Sequence, residues 1–270
     1  MKCVSFNVNS IRQRLHQLEA VINQYQPEFI GLQETKVTDE EFPIAEIRDM
    51  GYHAEFCGQK THYGVALLSR LPFLKVQKGF VNDDTEAQKR FISGTFELSS
   101  GKRLTVMNGY FPQGESRDHP VKFPNKQRYY ADLLEHLLQH SLDEEIIVMG
   151  DANVSHQDLD IGIGEDNRKR WLRTGKCSFL PEEREWFQAL LDWGLVDTFR
   201  LHFPDDCSHF SWFDYRSRGF EREPKRGLRI DVILAGQSLA KRCTAAGIDY
   251  DIRAMARPSD HCPVWAEFDI

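Results

Sequence analysis

The chain has 270 residues, 41% hydrophobic and 28% charged, with a net charge of −7 at neutral pH. That composition suits a soluble globular fold whose core needs no disulfide framework or structural metal. No apolar run approaches the roughly 20 residues that cross a bilayer, which excludes a helical membrane span.

Taken in chain order, short apolar runs alternate with helical patterns. Residues 2–8 read as a strand, 14–26 as an amphipathic helix stopped by Pro27, and 29–32 as a second strand with Glu34 just past its end. Residues 64–69, 91–97 and 103–110 read as further strands, and 126–140 as a helix. Residues 146–149 form a buried-type strand followed by Asp151 and Asn153. Residues 182–193 are helical, and 230–234 and 264–268 are strands. No proline-rich or glycine-serine linker divides the chain. Many short strands interleaved with helices predict stacked sheets flanked by helices. A faint echo pairs the strand ending in Asn7 with the one ending in Asp151-Ala152-Asn153, and a duplicated half would bring both sets of polar residues to one mouth.

The opening residues turn polar too early for a secretory signal, and the six cysteines are scattered without a Cys-x-x-Cys pair. Reduced thiols and a cytoplasmic location are therefore expected. The acidic total argues, by itself, against a nucleic-acid partner, but local distribution matters more. One basic stretch holds Arg168, Lys169, Arg170, Arg173 and Lys176; another holds Arg216, Arg218, Arg222, Lys225, Arg226 and Arg229. Read blandly, both are solvated loops. Trp171, Phe179, Trp212, Phe213, Tyr215 and Phe220 interleave with them, as on a surface that contacts phosphates and stacks on sugars or bases.

Polar side chains gather at strand ends: Asn7, Asn9, Glu34, Tyr110, Asp151, Asn153, Asp231, Asp260 and His261. Asn and Asp are ordinary turn formers there, but nine such residues, mostly of metal-ligand or acid-base type, point to a cleft.

In this order along the chain, Asn7-Val8-Asn9, Gln33-Glu34-Thr35-Lys36, Asn108-Gly109-Tyr110-Phe111-Pro112, Gly150-Asp151-Ala152-Asn153, Arg229-Ile230-Asp231 and Ser259-Asp260-His261-Cys262-Pro263 resemble the exonuclease III family of the endonuclease/exonuclease/phosphatase superfamily. The phrases from Gln113 to Pro120 and from Gly175 to Leu180 are similar to its bacterial branch. The resemblance spans residues 2–268 and implies an α/β (α+β) four-layer αββα sandwich, two mixed sheets flanked by helices, as one domain over 1–270. It also implies a Mg²⁺- or Mn²⁺-dependent nuclease acting on double-stranded DNA, abasic or 3′-blocked DNA above all, with a monomer expected. Two departures stand out. Ser10 replaces the family's usual glycine, and residues 221–225 look slightly longer than in the bacterial form.

Phosphodiester hydrolysis sets the roles. A hard cation on oxygen ligands relieves the repulsion of hydroxide by the phosphate and supports the leaving alkoxide. Glu34, with Asn7 and Asp260, is the expected ligand set; a plain salt bridge of Glu34 to Lys36 or Arg12 is the bland alternative. Asp151 is expected to position or activate water, held by Asn153; an Asx-turn is its alternative. Asp231 is expected to orient and charge His261, which bonds a phosphoryl oxygen, while Tyr110 donates to the phosphate. Whether Asp151, His261 or Asp260 takes the water's proton stays open from sequence. By resemblance, Trp212, Leu228 and Ile230 line a pocket for a base-free sugar, and Arg90, Gln113, Arg117 and Lys122 contact the DNA backbone. For Trp212 and Phe213 the alternative is a place in the core. Two other functions compete: a same-fold phosphoester hydrolase with a non-DNA substrate, and a catalytically silent binding module. The first would lack the aromatic-basic loop and the second would lack a catalytic residue.

Overall fold

The computed structural model describes residues 1–270, and its strands explain themselves by period two. In β1 (Lys2–Asn7), Val4 and Phe6 point outward to helices, while Cys3, Ser5 and Asn7 point inward. The inward series turns from apolar to polar along the strand. The same drift recurs in β2 (Phe29–Gln33), through Phe29, Gly31 and Gln33, in β7 (Arg103–Tyr110), through Leu104, Val106, Asn108 and Tyr110, and in β8 (Glu145–Asp151), through Ile147, Met149 and Asp151. The layer between the sheets is therefore dry at one end and polar at the other.

One six-stranded sheet runs β11-β12-β1-β2-β4-β3, with β3 (His53–Cys57), β4 (Val65–Ser69), β11 (Cys243–Ile248) and β12 (Val264–Phe268). The other runs β5-β6-β7-β8-β10-β9, with β5 (Lys75–Lys78), β6 (Phe91–Glu97), β9 (Leu195–Asp197) and β10 (Asp231–Gly236). An inter-sheet core includes Phe29, Leu67, Ile92, Phe96, Val106, Ile147 and Ile233. Helices α1 (Ile11–Tyr25), α2 (Ile44–Asp49) and α8 (Tyr250–Arg253) cover the first sheet; α3 (Lys122–Leu137) and α5 (Pro181–Trp193) cover the second. This is the expected α/β four-layer αββα sandwich. Shorter helices α4 (Glu165–Arg173), α6 (Thr198–His202) and α7 (Gln237–Ala240) lie in the connections.

The echo between halves is real, but its partners differ from the expected ones. The sheets share one pattern: a single parallel pair, β1–β2 or β7–β8, with antiparallel neighbours on both sides. Position for position, β1 matches β7 and β2 matches β8, so Glu34 corresponds to the end carrying Asp151. The sequence match of β1 with β8 was offset by one strand because both end in an Asn-bearing turn.

Most expected strands form within two residues of their predicted ends. Helix α3 starts earlier than expected because Pro124 sits in its first turn, where a missing N–H costs nothing. Four strands escaped the pattern: β3 and β5 are edge strands with mixed faces, β9 has three residues, and β11 carries alanines and a glycine. Most of the first basic stretch, Arg168 to Arg173, is helical and not a loop, with Lys176 just beyond α4. The helix buries no residue, so it lacks the apolar stripe that marks a helix. No helix is long and apolar enough to cross a membrane, and all six cysteines are free.

Candidate active site

The polar ends of β1, β2, β7 and β8 meet the start of β10 at one mouth. β8 and β10 run antiparallel, so Asp231 at the start of β10 faces Asp151 at the end of β8. Gly150 lets β8 close up on β7, since a Cβ there would lie 1.9 Å from the Gly109 carbonyl oxygen.

Beyond the parallel β1–β2 pair the chain continues the ladder through unusual backbone. Asn9, Ser10, Glu34 and Lys36 all have positive φ, and the Ser10 N–H donates to the Glu34 carbonyl at 2.8 Å. Such strain persists at functional sites when surrounding bonds over-determine it. Ser10 has φ 91° and makes no side-chain capping bond. A serine is strained at that φ, where glycine is not, and its side chain does not cap α1.

Asn7 is fully buried, and its amide nitrogen donates to Glu34 Oε1 and to Asp151 Oδ2, each at 2.9 Å. Its amide oxygen accepts the Asn9 N–H at 3.0 Å. Asn7 thus joins two carboxylates as a donor; its oxygen does not face the cleft. Asp260 also stands apart from Glu34: its oxygens accept from Asn9 Nδ2 at 2.8 Å and from Trp212 Nε1 at 3.1 Å. The side chains that converge are Glu34, Asp151 and His261, whose donor atoms lie within 4.8 Å of one another. The two carboxylates fit a hard divalent cation, with the imidazole beside them rather than among the ligands.

The bland alternatives are partly present. Lys36 Nζ lies 2.8 Å from Glu34 Oε2, whereas Arg12 pairs with Glu41. The Asn153 N–H donates to Asp151 Oδ1 at 3.0 Å, as in an Asx-turn, but Oδ2 of Asp151 points at Asn7 and lies 3.8 Å from His261 Nε2. The Asn153 side chain donates to the Phe111 carbonyl, tying the ends of β8 and β7 together.

His261 Nδ1 contacts both oxygens of Asp231, at 2.9 and 3.1 Å. Burial would lower the imidazole, but Asp231 and Asp151 outweigh it and raise the ring to about 10. Burial lifts Asp151 to about 7, with His261 opposing and the carboxylates of Asp231 and Glu34 adding. Burial also works to raise Glu34, but the Lys36 ammonium and the Asn7 donor hold it below its ordinary value, so it stays ionised. The Tyr110 phenol is pushed well up by burial and by Glu34, so it remains a donor at neutral pH.

A cleft of about 310 Å³ opens here, and ten of the expected site residues line it: Glu34, Tyr110, Gln113, Asp151, Asn153, Trp212, Leu228, Ile230, Asp260 and His261. Asn7 lies beneath it and Asp231 behind His261. Ser211 accepts the N–H groups of Ile230 and Asp231, Trp212 pairs with Leu228, and Cys262 donates to Ser211. The apolar wall is thereby bonded to the strip that carries His261. Trp212 lines the cleft while its neighbour Phe213 is core.

Arg90, Arg117 and Lys122 do not line the cleft. The Arg90 guanidinium lies between the rings of Tyr63 and Tyr110, at 4.2 and 4.5 Å. Arg117 pairs with Glu182 and Lys122 with Glu115, both on the exterior. Arg229, counted among the basic residues, is buried against Asp160 and Asp197 and pins the Leu228–Asp231 strip. Several supporting residues were missed in the sequence. Asn108 donates to the carbonyls of Leu32 and Ala66 and accepts from Gln33, stitching the sheets below the site. Trp171 and Lys176 line the cleft, and Ser259 holds the Asn7 carbonyl. Asn108 and Ser259 lie inside motifs of the sequence, and Trp171 and Lys176 in or beside its first basic stretch, but no local signal assigned them these roles.

Residues 4–261 match the model of the endonuclease/exonuclease/phosphatase family. The chain belongs to this family. Within it, the chain is 58% identical over 269 residues to exodeoxyribonuclease III of Haemophilus influenzae, covering 99% of this chain and 100% of that one. An exodeoxyribonuclease of Bacillus subtilis is 30% identical, with 98% of each chain covered. Among solved structures, a 3′ phosphatase from Neisseria bound to a product DNA hairpin superposes with a TM-score of 0.90 at 36% identity. An AP endonuclease from Archaeoglobus fulgidus superposes with a TM-score of 0.89 at 31% identity. Both superpositions cover 100% of each chain. The chain is thus a hydrolase of the exonuclease III branch of the endonuclease/exonuclease/phosphatase family.

Proposed function

We propose that this chain is a magnesium-dependent DNA-repair phosphodiesterase, one domain over residues 1–270, acting on duplex DNA. It removes nucleotides 3′ to 5′, cuts on the 5′ side of abasic sugars, and clears 3′-phosphates and related 3′ blocks. The observation that carries this reading is the meeting of two walls in one cleft: ionisable strand ends on one side, and Trp212, Leu228 and Ile230 on the other.

Glu34 and Asp151, with His261 beside them, would hold Mg²⁺ or Mn²⁺; two carboxylates favour such a hard cation over zinc. When bound, the ion supplies charge neutralisation at the attacked phosphate and the leaving oxygen. Asp151, fixed at the cleft by Asn7 and the Asn153 N–H, is placed to take the attacking water's proton. His261 is already charged, so it does not compete for that role. The His261 imidazolium and the Tyr110 hydroxyl are donors for the phosphoryl oxygens, where negative charge grows. A base-free sugar fits the apolar wall, and a paired nucleotide inside a duplex does not. Gln113 at the cleft and Arg90, Arg117 and Lys122 outside it would position the duplex through its backbone without reading sequence. The same reading makes the protein a cytoplasmic monomer.

The test is a duplex with one tetrahydrofuran abasic analogue, incubated with Mg²⁺ or with EDTA. One cut on the 5′ side of the analogue, leaving a 3′-hydroxyl and only in Mg²⁺, is expected. No cut in Mg²⁺, or a cut on the 3′ side alone, would overturn the reading.

A further inference from the structure

The two reactions proposed above break the same bond. In each, the water oxygen bonds to phosphorus, the P–O3′ bond breaks, and O3′ leaves with a proton as a hydroxyl. The sugar that keeps the phosphate therefore occupies one place, the Trp212 pocket. In abasic cleavage that sugar is bare. In exonuclease action it carries a base at C1′, which needs room that an apolar sugar pocket does not supply.

The structure has such room. A second cavity, of about 360 Å³, adjoins the catalytic cleft and shares Trp171, Lys176 and Trp212 with it. Its volume lies in the range of small-ligand sites, roughly 300–1,000 Å³. Arg170 of α4 and Arg222 and Arg226 of the 216–229 loop reach it, so the two basic stretches of the sequence converge here. The boundary is partly fixed and partly free. Trp171 is held parallel to Phe179, with ring planes 2° apart, and Trp212 is held by its bond to Asp260. Lys176 lies 3.8 Å from the centre of the Trp171 ring and makes no ion pair. Its side chain can swing aside without breaking a strong bond.

We propose that this second chamber receives the base of the 3′-terminal nucleotide during exonuclease action, while its sugar sits in the Trp212 pocket. The proposal rests on the nuclease reading above. Flat guanidinium groups stack on bases of any identity, and their N–H groups meet the acceptors that every base edge carries. An arginine-lined chamber beside an indole is therefore sequence-tolerant, as removal of any of the four nucleotides requires. Abasic cleavage leaves the chamber empty and does not depend on it.

The chamber can be filled from α4 by Asn167→Phe and from the 216–229 loop by Ser217→Phe, neither of which lines the catalytic cleft. Exonuclease rate on a recessed, intact 3′ end is expected to fall roughly 10- to 100-fold, as when a pocket loses the group it was shaped for. Cleavage of the tetrahydrofuran duplex is expected to stay within about twofold, which also shows that the variants fold. A duplex with 2-aminopurine as its 3′-terminal base gives a second readout: in EDTA, its emission changes on binding the parent protein and not the variants. Two unchanged exonuclease rates would overturn the proposal. So would equal losses on both substrates, which would make the chamber a general contact for the DNA backbone. A parent protein that cuts neither substrate would overturn the nuclease reading, and the proposal with it.

Discussion

The two walls of the cleft are built differently. The chemical wall stands on strand ends: Asn7, Tyr110, Asp151 and Asp231 continue the inward faces of β1, β7, β8 and β10, Glu34 follows β2 on a positive-φ residue, and one core fixes their spacing. The recognition wall stands on connections: Trp171 belongs to a helix with no buried residue, and Trp212 and Leu228 meet through isolated bridges. Chemistry is placed by the part of the molecule least able to change. Substrate choice is placed by the part most able to vary, as is general for loops on a rigid scaffold. A change in the first wall is expected to cost every substrate alike, and a change in the second to cost them unequally.

The largest effect is expected at Glu34. Glu34→Ala is expected to lower turnover roughly 100-fold or more on all substrates, because several kcal/mol of metal-assisted stabilisation are lost. Full activity in submillimolar Mg²⁺ would remove Glu34 from the site. Glu34→Gln keeps size and an oxygen but not charge, and is expected to be partly rescued by high Mg²⁺.

A smaller loss is expected behind the chemical wall. Asp231→Asn is expected to cost less than His261→Asn and to move the pH optimum down. Asp231 raises the imidazole above its ordinary value, so without it the protonated ring is lost at lower pH. A pH profile of kcat/KM unchanged in Asp231→Asn would show that the pair does not act together.

The smallest effect concerns stability. Ser10→Gly is expected to stabilise the protein by about 1 kcal/mol, because it relieves a positive φ and sacrifices no cap. Urea midpoints check this; an equal or lower midpoint would mean that the turn is not strained.

The same division explains what the sequence made legible. Strand ends were readable because alternating apolar residues locate a strand and a polar residue closing it marks the mouth, as at Asn7, Glu34 and Asp151. Stacked sheets followed from those strands and the four-layer sandwich from the family motifs, but the edge strands β3, β5, β9 and β11 did not. The ligand arrangement was less readable. Asn7 and Asp260 are of ligand type, but which atom faces the cleft depends on hydrogen bonds to Asn9 and Trp212, which no motif states. The arginines were harder still. Arg229 and Arg226 lie in one short stretch, yet Arg229 is buried in a carboxylate network and Arg226 lines the chamber. Charge in a sequence does not reveal its partner. Trp171 was visible only as an aromatic in a basic stretch, since α4 has no apolar periodicity.

The difference between the walls is tested most directly at Trp212. Trp212→Ala and Asp151→Asn would each be assayed on the tetrahydrofuran duplex and on a small activated phosphodiester with no sugar to place. Asp151→Asn is expected to lower both activities together. Trp212→Ala is expected to lower abasic cleavage far more, changing the ratio of kcat/KM values roughly 10- to 200-fold, the worth of one apolar contact or a few. A ratio that stays constant in Trp212→Ala would contradict the account, for Trp212 would then serve the fold and not the substrate.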